Sequence, residues 1–62
     1  MPILDDFKVR FTEFDTAVAD RLIPVYAREY RCFYDVDYDH AHCDKSAVLY
    51  LLAHLVATDP SV

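Results

Sequence analysis

The run AVLYLLAHLVA, from Ala47 to Ala57, has apolar side chains all round a helical projection, and its one titratable imidazole is His54. A helix that is apolar all round is normally buried all round. This segment therefore needs cover from the rest of the chain or from another molecule. Val48, Leu51, Leu52 and Leu55 form the expected core face, and Ala47, Leu49, Tyr50, Ala53 and Ala57 continue around the cylinder. The run falls short of the ~20 residues that cross a membrane. Asp44 is the expected N-cap and Pro60 the stop, which gives a helix over 44–58.

Two further patterns have helical spacing. Leu4, Phe7, Phe11 and Phe14 recur at intervals of three and four, which predicts a short helix over 4–10 with Phe11 and Phe14 leading into the core. Asp5 and Asp6 lie near its start, where carboxylates oppose the helix dipole. From 17 to 34, Leu22, Ile23, Tyr26, Tyr30, Phe33 and Tyr34 share an inner face, and Arg21, Pro24, Arg28 and Arg31 share the outer one. Asp15 or Thr16 is the expected cap, and Pro24 loosens the first turns from outside the core. With no glycine in the chain, tight hairpins lose the residue they prefer. The expected fold is an all-α, three-helix unit forming a single domain over 1–62.

A 62-residue domain buries only about 60% of the surface its unfolded chain exposes. Domains this small usually rely on a staple or a partner. Two other helices, one of them short, are too little to cover the 47–57 run. The uncovered side, with Leu49, Ala53 and Ala57, is therefore expected to meet another subunit or a further C-terminal segment.

Eleven acidic against six basic residues give a formal charge of −5. That argues against a sequence-independent grip on DNA or on anionic membrane, both of which need basic patches. MPILDDFK has no basic region leading into an apolar run, so no secretory signal is read and a cytoplasmic location is expected. There, Cys32 and Cys43 are expected as free thiols.

DVDYDHAHCD, residues 35–44, is the densest group of ligand types. Asp35, Asp37 and Asp39 match the opening of a calcium loop, but the required glycine is His40 and the bidentate glutamate is Ser46. Zinc would draw on His40, His42, Cys43 and Cys32, whose spacing matches no zinc motif. Nearby acids oppose thiolate formation at Cys43, and no glycine turn offers an oxyanion site. His54 reads as a core histidine with one hydrogen-bond partner. Tyr26, Tyr30 and Tyr34 read as the edge of a core face with their hydroxyls reaching water. No catalytic, metal or cofactor site is expected, and 35–44 reads as a polar connector.

Arg21, Arg28 and Arg31 run along the outside of the second helix, and Asp35, Asp37, Asp39 and Asp44 cluster beyond its end. Surfaces of opposite sign on one protomer can meet head to tail and close into a ring. Charge would set the register of such a contact more than its affinity.

The order DFKVRFTEF, VADRLIPVYAREY, polar loop, AVLYLLAHLVATDPSV resembles the small head-to-tail connector proteins of tailed bacteriophages, also called adaptor or head-completion proteins. That family has a Phe-x-x-x-Phe-Pro-Glu-Phe-like segment, an Asp-x-x-Ile-like motif and a later Ala-His-Leu. Phe7, Phe11, Glu13 and Phe14 match the first, Asp20 and Ile23 the second, and Ala53, His54 and Leu55 the third. Thr12 stands where the family often has proline, and Tyr34 or Tyr38 lies in the loop where a tryptophan is common. Family members usually continue with another segment and helix, so the resemblance implies a shortened form or the N-terminal part of a longer connector.

The resemblance further implies a homo-oligomeric ring of about twelve subunits in the virion, assembled in the bacterial host cytoplasm. Such a ring sits beneath the portal protein, presents a surface to the next connector or tail protein, and lets DNA pass. It implies a structural role without catalysis, cofactor or membrane contact. Two rival readings are a small metal-binding helical module using the 35–44 loop and a monomeric adaptor that binds a partner helix through Leu49, Ala53 and Ala57.

Overall fold

The computed structural model describes residues 2–62. The fold is all-α, with three helices and no strand among the described residues. They are α1 (Pro2–Arg10), α2 (Thr16–Glu29) and α3 (Lys45–Ala57). Short 3-10 turns at Tyr30–Cys32 and Tyr38–His40 lie between α2 and α3. α2 is central, with α1 and α3 each packed against it.

α1 opens two residues ahead of the expected start. The first amides of a helix have no intrahelical acceptor, so proline is tolerated at Pro2. The Phe11 N–H still donates to the Phe7 carbonyl at 2.9 Å, and the chain then turns into α2. Asp15 has extended backbone (φ −61°, ψ 132°), and its carboxylate accepts the Ala17 N–H at 2.7 Å. That is the geometry of an N-cap.

The aromatic residues of the first pattern close this corner. The Phe7 ring centroid lies 5.1 Å from that of Phe11 and 5.5 Å from that of Phe14, and Phe11 meets Phe14 edge-on at 6.2 Å. An ion pair between Lys8 and Asp20 ties α1 to α2. Phe7, Ile23 and Leu52 are fully buried, each contributing roughly 1.5–3 kcal/mol relative to an exposed side chain.

α2 passes through Pro24, which is exposed on its outer face, and stops at Glu29 rather than Tyr34. The chain tightens there: the Phe33 and Tyr34 N–H groups both donate to the Tyr30 carbonyl at 2.9 Å. Phe33, expected on the core face, is 71% exposed, while the next residue, Tyr34, is partly buried against the core.

α3 differs from expectation in which face it buries. Val48, Leu49, Leu52 and Val56 are buried, whereas Leu51 and Leu55 are only partly covered. Packing against α2 centres the buried arc on Leu52, where an apolar-all-round sequence shows no preferred direction. Ala47, Tyr50, His54 and Ala57 are exposed. His54 is therefore not a core histidine.

Asp44 stands at the N-cap position of α3, but its backbone is helical (φ −76°, ψ −8°) and its side chain caps no amide. The carboxylate instead accepts the Tyr34 hydroxyl at 2.9 Å. At the other end the Thr58 hydroxyl donates to the His54 carbonyl at 2.9 Å, before the chain reaches Pro60.

Candidate assembly surface

The 35–44 connector is anchored by tyrosines. The Tyr30 side chain is buried, and its hydroxyl donates to the Val36 carbonyl at 2.6 Å and accepts the Tyr38 N–H at 3.0 Å. Tyr38 is buried in turn, and its hydroxyl donates to Asp6 Oδ2 on α1 at 2.5 Å. Burial above all, with the Asp6 carboxylate second, pushes the Tyr38 phenol well above its ordinary range. The Lys45 ammonium lies 5.3 Å from the centre of the Tyr38 ring.

The connector's aspartates do not converge. Asp35 Oδ1 accepts from Arg31 Nη2 at 2.9 Å. Asp37 accepts the Asp39 N–H at 3.1 Å through one oxygen and meets His40 Nδ1 at 2.7 Å through the other. The His40 contact, then the Asp39 amide, hold the Asp37 carboxyl below its usual value. Among the described residues no three His, Cys, Asp or Glu side chains are placed to hold a metal ion, so Cys32, His40, His42 and Cys43 do not form the cluster a zinc module needs. Both cysteines are free and exposed. The described residues form no pocket.

The arginine stripe divides by partner. Arg31 is engaged with Asp35 of its own chain. Arg21 reaches Ser61 Oγ at 3.4 Å. Ser61 in turn bonds Asp59 through both its hydroxyl (2.6 Å) and its N–H (2.8 Å), and Asp59 also takes the Tyr26 hydroxyl. These bonds, Ser61 foremost, hold the Asp59 carboxyl down to about 2. Arg28 is exposed and has no carboxylate partner among the described residues, and Asp39 is exposed with no cation partner among them.

Of the three α3 residues expected at an interface, Ala57 is exposed, Ala53 is partly buried, and Leu49 lies inside its own protomer's core at 8% exposure. The same helix has cover that sequence reasoning missed. Arg10 Nη2 donates to the Tyr50 hydroxyl at 2.7 Å, its guanidinium carbon lies 5.1 Å from the ring centre, and Phe11 meets the ring edge-on at 5.5 Å. The hydroxyls of Tyr26, Tyr30 and Tyr34 are likewise bonded within the chain rather than left to water. Spacing along the chain gives no signal for Asp6, Arg10 or Asp59 as partners, because each acts across more than thirty residues.

No described helix is long and apolar enough to cross a membrane. Comparison with family models, with curated proteins and with solved structures gave no match.

Proposed function

We propose that the chain is a structural subunit of a bacteriophage head-tail connector, working by assembly and without chemistry of its own. The observation that carries this reading is where the residues of the family resemblance lie. Phe7, Phe11 and Phe14 form one aromatic cluster, Asp20 pairs with Lys8, and Ile23 is fully buried. Most residues matching the first two motifs thus hold α1 on α2, whereas those matching the third, Ala53, His54 and Leu55, lie on α3 with His54 exposed.

In this reading the subunits form a ring beneath the portal protein, offer a seat to the next connector or tail protein, and surround a lumen for DNA in the virion. A formal charge of −5 suits such a wall, because it repels phosphate and lets the duplex slide. Native mass spectrometry of the protein mixed with purified portal rings tests the assignment. Stoichiometric addition to the portal is expected, with the same mass after treatment with a strong chelator. A protein that never joins the portal sinks the connector reading, and a chelator-sensitive fold with bound metal restores the metal module.

A further inference from the structure

We propose that Phe33 is a docking knob that seats on the Pro24 and Arg28 stripe of a second copy of this chain. This inference rests on the assembly reading above and names the contact that would build it.

Phe33 stands 71% exposed, while Phe7 and Phe11 are buried and the partly buried Phe14 packs against them. Its backbone is nevertheless fixed. The N–H groups of Phe33 and Tyr34 share the Tyr30 carbonyl, Tyr30 is buried with its hydroxyl doubly bonded, and Arg31 reaches forward to Asp35. An aromatic side chain held on a rigid turn loses little freedom when it docks. Interface energy concentrates in such anchors.

Exposure and unpaired charge mark the seat. Arg21, Pro24 and Arg28 share the exposed side of α2, away from the buried Ile23 and Ala27. Arg28 has no carboxylate partner among the described residues, and the segment that follows Phe33 carries Asp39, which has no cation partner among them. A phenyl ring accepts a guanidinium on its face, and the exposed Pro24 ring offers an apolar floor beside it. A two-fold contact of Phe33 on Phe33 would instead bring two acidic connectors together, which like charge opposes. Knob and seat are different patches of one protomer, so the contact is heterologous and repeats from copy to copy.

The full chain is followed by sedimentation equilibrium over a range of concentrations, beside Phe33→Ser and Arg28→Glu. Both substitutions lie on exposed positions, and circular dichroism confirms that each variant keeps its helices. Self-association is expected to weaken about tenfold or more in each. A photoreactive benzoylphenylalanine at position 33 is expected to crosslink to the Arg21–Glu29 stretch of another copy. Wild-type protein that stays monomeric, Phe33→Ser that associates like wild type, or crosslinks mapping elsewhere each overturn the proposal. Portal binding is scored separately. Its loss with self-association intact defeats the connector reading alone, and its retention by a protein that does not self-associate defeats the Phe33 contact alone.

Discussion

The Tyr30 hydroxyl bridges the Tyr38 N–H and the Val36 carbonyl, accepting at 3.0 Å and donating at 2.6 Å. One side chain thereby satisfies two backbone groups in a stretch with no regular helix to satisfy them. Tyr30→Phe preserves the ring and orphans both groups. The expected loss is about 1–3 kcal/mol in chemical denaturation, with faster hydrogen exchange at the Tyr38 amide. Unaltered exchange at Tyr38 would show that the bridge does not hold the connector.

The Tyr38 bond to Asp6 fastens the same connector to α1. A hydrogen bond to a charged group contributes roughly 1.5–3 kcal/mol when partly shielded from water. Tyr38→Phe and Asp6→Asn should therefore each destabilise, and the double variant should lose less than the sum of the two. A coupling of about 0.5 kcal/mol or more in the double-mutant cycle is the expected result. Strict additivity would place the two residues outside each other's reach.

Alkaline pH tests three of the tyrosines together. Tyr26, Tyr34 and Tyr38 all titrate above the ordinary 10.0 in the fold, Tyr26 and Tyr34 chiefly through their bonds to Asp59 and Asp44, and Tyr38 chiefly through burial. A raised folded value means that the fold prefers the neutral phenol. Its stabilisation is complete below the unfolded value and is lost as pH rises toward and through the folded ones. Ultraviolet titration should show a late, cooperative tyrosine phase coinciding with loss of helical signal. Tyr26, Tyr34 and Tyr38 titrating independently at the ordinary phenol value would refute this.

α3 offers a direct test of its buried face. Leu52 is fully buried, and Leu55 is only partly so. Leu52→Ala should cost about 2–5 kcal/mol, the range for a buried leucine that leaves a cavity, and Leu55→Ala distinctly less. Equal losses, read from urea midpoints, would mean that both leucines are core.

The helices were legible in the sequence because each had a local signal. The Phe7, Phe11 and Phe14 spacing, the Asp15 cap and Pro60 all act within a few residues of themselves. The facing of α3 was not legible, because a run apolar on every side leaves its burial to whatever packs against it. The 3-10 turn at Tyr30–Cys32 was missed for a related reason: the apolar period runs on to Tyr34, although the hydrogen bonds tighten four residues earlier. On the candidate surface, position was readable and pairing was not. Arg31 on the outer face and Asp35 in the connector both lie outside as expected, yet they bond each other.

Four polar links of this fold join early residues to late ones: Asp6 to Tyr38, Arg10 to Tyr50, Arg21 to Ser61 and Tyr26 to Asp59. A chain leaving the ribosome from its N-terminus cannot make the last two until the end of α3 has emerged. α1 and α2 can form their phenylalanine corner during translation, and α3 adds its buried face before Asp59 and Ser61 are reached. The links from α2 to Asp59 and Ser61 therefore form only after α3 has been made, and a chain cut before Asp59 would lack both of them.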